Sequence, residues 1–136
     1  MLAQAEQRVH AHGWDNVSLV QTDALELEYP TRVDAILSTY ALGLVPEADA
    51  IIARGAAALA PGGRWVVLDL SLPPTVPGWV AHAAIPLVRP FGATEEVMAR
   101  RTWEVIQRAM HEHLDDFSST DLFFGFIFLA TGAAPT

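Results

Sequence analysis

The sequence contains no cysteine, which excludes disulfides, thiolate zinc sites and a cysteine nucleophile. Cations are scarce as well. Eight Lys and Arg stand against sixteen Asp and Glu, a formal net charge of −8, which disfavours a nucleic-acid backbone or an anionic membrane as partner. Long hydrophobic runs are missing: Val76–Val88, interrupted by His82, and Leu122–Ala130 are the longest. Both fall short of the roughly 20 residues that a membrane-spanning helix needs. Met1 does not lead into a basic region followed by an apolar core, so no secretory signal is predicted and a cytoplasmic location is expected. There is no Gly-x-Ser-x-Gly elbow to support a serine hydrolase. His10-x-His12 and His111-x-His113 look like chelating pairs, but residues two apart on a helix point roughly 200° apart and cannot share a metal. No metal site is expected.

What is present reads as one α/β domain. A chain of 136 residues with 51% hydrophobic and 18% charged residues is long enough for one core and too apolar for disorder. Met1–His12 has Leu2, Ala5 and Val9 at helical spacing and Gly13 in the C-cap position. Val17–Val20 predicts a short strand, Gln21–Ala24 a loop, and Leu25–Pro30 either one helical turn or an irregular connection. Val33–Thr39 predicts a second strand. After a loop at Tyr40–Val45, Pro46 suits the first turn of a helix whose start is flanked by Glu47 and Asp49 and which reaches about Ala60. Leu59-Ala60-Pro61-Gly62-Gly63 then predicts a helix end and a tight turn. Trp65–Leu68 is unbroken apolar sequence without polar alternation, the pattern of a strand covered on both faces by helices. Together with Val33–Thr39 it forms a βαβ crossover. Gly78–Val88 predicts a short apolar helix, Thr94–Leu114 a longer one, and Phe117–Leu122 with Phe126–Thr131 an antiparallel strand pair meeting near Phe123-Phe124-Gly125.

In this order the motifs resemble the class I S-adenosylmethionine-dependent methyltransferases. Met1-Leu2-Ala3-Gln4-Ala5 is similar to the helix after that family's second strand. Val17–Ala24 is similar to its third strand and Asp-Ala loop, and Val33–Leu42 to its fourth strand. Leu59–Leu70 is similar to its Leu-x-Pro-Gly-Gly turn and fifth strand, and Phe126–Gly132 to its antiparallel seventh strand. The resemblance implies a Rossmann-like sheet, mostly parallel with an antiparallel C-terminal strand pair, and S-adenosylmethionine as cofactor. It implies that Asp23 accepts a hydrogen bond from the adenine amino group, that the Ala24 backbone meets the ring, and that Tyr40 and Ala41 border the transferring methyl group. The family's Gly-x-Gly-x-Gly loop has no counterpart among the glycines at 13, 43, 55, 62, 63, 78, 92, 125 and 132. The expectation is therefore an N-terminally truncated methyltransferase domain over residues 1–136, with little donor affinity of its own.

The apolar, proline-punctuated segment 73–113 is expected to form a helical lid over a small, hydrophobic acceptor, with Asp69, Trp79 and Phe91 on the substrate side. The alternative is a non-catalytic interaction domain derived from a methyltransferase, self-associating through the sheet edge left open by the missing strands.

Overall fold

The computed structural model describes residues 2–73, 75–77, 79, 86, 96 and 99–136. Helix α1 spans Leu2–His12 and ends where the Gly13 amide bonds the His10 carbonyl. Strand β1 occupies Val33–Thr39, followed by a 3-10 turn at Leu42–Leu44 and helix α2 over Ala48–Ala58. Strand β2 runs from Leu59 to Leu70, and helix α3 from Thr102 to His113. Strands β3 (Asp115–Leu122) and β4 (Ile127–Ala133) flank a second 3-10 turn at Phe123–Gly125.

The four strands form one mixed sheet in the order β1-β2-β4-β3. β1 and β2 pair in parallel across the α2 crossover, while β4 lies antiparallel to both β2 and β3. The antiparallel C-terminal pair is thus present, and the last strand inserts beside β2. The parallel share is smaller than the sequence suggests, because Val17–Val20 is not a strand. All four of those residues are exposed. A strand needs a ladder partner to satisfy its backbone, and no described strand lies beside this segment.

The Pro-Gly-Gly turn also takes a different form. Leu59 pairs with Val33, but the next registered pair is Arg64 with Ala35, so β2 absorbs Pro61-Gly62-Gly63 as a bulge instead of starting after it. Gly62 adopts a φ of 73°, and its amide bonds the Ala134 carbonyl. The bulge thereby joins the chain's tail to both neighbouring strands.

Trp65, Val67 and Asp69 on one face of β2 are buried, with Phe128 and Ala130 of β4 beside them. Ile51 and Ile52 of α2 and Ile106 and Met110 of α3 cover them. Each fully buried large side chain contributes about 1.5–3 kcal/mol. The expected cover on both faces is not found among the described residues. The opposite face presents Leu37 at 71% exposure with half-buried Val66 and Leu68. α1 buries nothing. The predicted helix Thr94–Leu114 is interrupted: the Arg100 amide bonds the Glu96 carbonyl, Arg101 then takes a left-handed φ of 49°, and α3 restarts at buried Thr102. The predicted helix Gly78–Val88 lies almost wholly outside the described residues, as do residues 87–95 of the expected lid. No helix among the described residues is long and apolar enough to cross a membrane.

Candidate functional site

Parallel β1 and β2 end on the same side of the sheet, and the loops leaving their carboxyl ends are where open α/β sheets place ligands. Tyr40 leaves β1 there. Its amide donates to the Leu68 carbonyl at 2.8 Å and its φ of 50° turns the chain sharply off the strand. The ring is about half exposed. Ala41 follows and leads into the 3-10 turn.

Asp69 sits beneath this loop at 3% exposure. Its Oδ2 accepts the Gly43 amide and its Oδ1 the Leu70 amide, each at 2.8 Å. Burial pushes the Asp69 carboxyl above the ordinary range, against the opposing influence of the Gly43, Leu70, Ala41 and Leu42 amides, which favour its charged form. The carboxylate expected on the substrate side is therefore turned to backbone. One strand earlier on the same side, Ser38 Oγ accepts from Trp65 Nε1 at 3.2 Å.

Asp23 lies on the turn that precedes β1. Its Oδ1 accepts the Leu25 amide at 2.8 Å, and the Glu26 amide bonds its carbonyl. Oδ2 has no protein donor among the described residues. The following segment is tied to the packed part of the molecule: Leu25 touches the core, and Arg54 Nη2 donates to the Leu27 carbonyl at 2.9 Å. Burial raises the Tyr29 hydroxyl pKa despite the nearby Arg54 guanidinium. The structure brings Tyr40, Ala41 and Asp69 together; the contacts of Asp23 are local, and Ala24 shares its turn.

A cavity of about 590 Å³ opens beyond the end of β2, lined by Ser71, Pro73, Trp103, Gln107, Asp121 and Phe124 among others. Ser71 Oγ donates to the Gly125 carbonyl at 2.7 Å and ties the end of β2 to the β3–β4 turn. Phe124, with a φ of 60°, is 98% exposed. Trp103 carries the Arg101 guanidinium 5.8 Å from its ring centre, and Arg101 also pairs with Glu104. Sequence reasoning placed Pro73, Arg101, Trp103, Glu104 and Gln107 within the expected lid, but it gave Ser71, Asp121 and Phe124 no place in a site. The one available signal was the Phe123-Phe124-Gly125 turn, where aromatic side chains stand at a position that cannot bury them. Trp79 is 75% exposed; Phe91 lies outside the described residues. Among the described residues no cluster of acidic and histidine side chains could hold a metal.

The sequence model of the family described as a methyltransferase domain matches residues 1–63, just under half of the chain. Among solved structures, phosphoethanolamine N-methyltransferase 2 of Haemonchus contortus, in complex with S-adenosyl-L-methionine, superposes with a TM-score of 0.74 at 14% identity. The match covers 100% of this chain and 41% of that one. The chain carries the fold of the class I S-adenosylmethionine-dependent methyltransferases. The N-methyltransferase NodS of Bradyrhizobium japonicum, in complex with S-adenosyl-L-homocysteine, matches with a TM-score of 0.64 at 19% identity, covering 98% and 61%. An O-methyltransferase family protein of Burkholderia thailandensis gives 0.67 at 16%, covering 98% and 41%. The chain thus spans between two-fifths and three-fifths of these relatives' lengths. No curated protein matches it.

Proposed function

We propose that this methyltransferase-fold chain supplies the adenine-facing and methyl-facing parts of an S-adenosylmethionine site together with an acceptor pocket, and serves methyl transfer to a small, hydrophobic molecule. The observation that carries the reading is the Tyr40–Gly43 loop, anchored at the carboxyl end of β1 with the tyrosine turned half into solvent. Residues present fit two ends of the donor. Asp23 keeps an oxygen for an amino donor such as that of adenine, and Tyr40 with Ala41 would border the methyl group. The donor would supply an electrophilic methyl group on a sulfonium. No glycine-rich loop in this sequence would cradle its amino-acid end, so donor affinity of the isolated chain is expected to be very weak.

On the acceptor side, Trp103 and Phe124 offer flat apolar surface in the cavity beyond β2, with Trp79 and Phe91 as further contacts from the lid. The chain's contribution is to orient the acceptor and exclude water. Displacement at a methyl group depends chiefly on alignment, so no strong general base is required of these residues.

Backbone amide shifts in a titration with millimolar S-adenosylhomocysteine test the reading. Shifts are expected at Asp23, Ala24, Tyr40 and Ala41, and weaker shifts at Ala24 in an Asp23→Ala variant. An absence of shifts at the Tyr40 loop would sink it.

A second reading, a self-associating domain without catalysis, is favoured by one feature. The outer edge of β1 has no partner strand among the described residues, and Leu37 is 71% exposed. Such an edge invites strand addition. A monomer across the micromolar range in sedimentation velocity would remove this reading.

A further inference from the structure

We infer that Asp69 is a positioning residue for the donor-side loop: its buried carboxylate fixes the backbone of Tyr40–Leu44, on which Tyr40 and Ala41 would face the ligand. This rests on the donor-side reading given above, and it assigns Asp69 a role through the loop in place of contact with an acceptor.

The geometry has three parts. First, consecutive residues of β2 hold the loop at both ends: the Leu68 carbonyl takes the Tyr40 amide, and the Asp69 side chain takes the Gly43 amide, both at 2.8 Å. Second, the neighbouring Ala41 and Leu42 amides of the same turn also favour the charged form of the carboxylate. Such a nest of amides suits an anion. Third, the two surfaces are in contact without room to spare. A β-carbon at Gly43 would stand 2.7 Å from Asp69 Oδ1, closer than atoms approach, so glycine is what lets the turn close onto the carboxylate.

An ionisable group at this depth needs a reason. The positions sharing its face of β2, Trp65 and Val67, are apolar and fully buried, and an apolar residue at 69 would extend that packing without desolvating a carboxylate. What it could not do is bind backbone amides. Leaving β1, the chain has just turned through a left-handed Tyr40, and with the sheet ladder finished at that residue, the Gly43 amide needs an acceptor from elsewhere. Asp69 supplies it. A carboxylate also accepts from several directions at once, which a carbonyl or hydroxyl in the same place would do less completely.

A merely structural carboxylate would stabilise the whole domain, whereas a positioning one acts on the loop. Hydrogen exchange of backbone amides in the full chain separates the two. In Asp69→Asn, which retains one acceptor but presents an amino group to the remaining amides, exchange at Gly43 is expected to accelerate by about tenfold or more. Exchange in the β2–β4 ladder should stay within about twofold of its original rate. Gly43→Ala, which pushes the loop away while keeping the carboxylate, should reproduce the loop effect if Asp69→Asn folds poorly. In the S-adenosylhomocysteine titration, shifts at Tyr40 and Ala41 should require about tenfold more ligand in either variant. Unchanged Gly43 protection in Asp69→Asn would overturn the inference, as would loss of protection shared equally by the ladder. If the parent chain shows no shifts at Tyr40 and Ala41 while Gly43 still loses protection in the variant, the clamp stands and the donor-side reading fails.

Discussion

Residues 2–24 and the sheet with its two covering helices follow different rules. The first segment contains no buried residue: the apolar stripe of α1, Leu2, Ala5 and Val9, is only half-buried, and Trp14, Val17, Leu19 and Val20 are all exposed. The second holds most of the described core, from Trp65 and Phe128 to Ile106 and Met110. Yet the methyltransferase-domain match begins at residue 1 and ends at 63, before most of that core. Family signature and packing therefore overlap only in part, through Leu42, Ala48, Ile51, Ile52 and Leu59. α1 satisfies its backbone through internal hydrogen bonds, whereas Val17–Val20 cannot complete a strand without a neighbour. Asp23, proposed above to face the donor, then sits at the junction, two residues ahead of the core contact made by Leu25.

The widest gap between the two regions should appear on truncating apolar side chains. Phe128→Ala is expected to cost about 3–5 kcal/mol, whereas Val17→Ala and Leu19→Ala should each cost less than about 0.5 kcal/mol. Urea unfolding measures all three, and comparable losses would erase the distinction. Gly55→Ala comes next. A β-carbon there would stand 2.4 Å from the buried Trp65 ring, so overpacking should cost about 1–3 kcal/mol, in a helix where alanine would otherwise be preferred.

Asp69 offers a sharper test through pH. Its native pKa is raised by burial, so the native state keeps a proton that the unfolded chain has released. Its contribution to stability is therefore full below about pH 4 and is lost as pH rises through the native value. Urea unfolding at several pH values should show Asp69→Asn with a smaller decline over that window; an unchanged slope would contradict the burial argument. The smallest effect belongs to the surface of the packed region itself. Glu104→Ala, which removes the exposed pair with Arg101, should change stability by less than about 0.5 kcal/mol, placing this corner of α3 with α1 in its tolerance.

Local sequence made the regular elements legible where the governing interactions were local or repeated. β1 has the expected bounds, Val33–Thr39, because a β-branched and apolar run is bracketed by turn residues. α1 and the antiparallel C-terminal pair were equally readable. Pro61-Gly62-Gly63 was misread as a turn because its residue types serve a bulge equally well, and only pairing with β1 and the tail distinguishes the two. The break at Arg101 has no sequence signal, since arginine rarely takes a left-handed φ. That one face of β2 has no cover among the described residues could not be inferred from Trp65–Leu68, whose apolar run says nothing about which helices are at hand. At the site, the loop after β1 was legible from its place at a strand end, but the hold of Asp69 on Gly43 spans 26 positions and depends on register. The cavity beyond β2 joins three distant segments, and only its part within the expected lid was legible.

Hydrogen–deuterium exchange across the whole chain, with and without S-adenosylhomocysteine, tests the central claim most directly. The account predicts that amides of residues 2–24 exchange fast in the free protein while those of β2 and β4 are protected. Ligand should then slow exchange at Asp23–Ala24 and at Tyr40–Gly43 together. Strand-like protection at Val17–Val20 without ligand, or ligand protection that leaves both loops untouched, would contradict it.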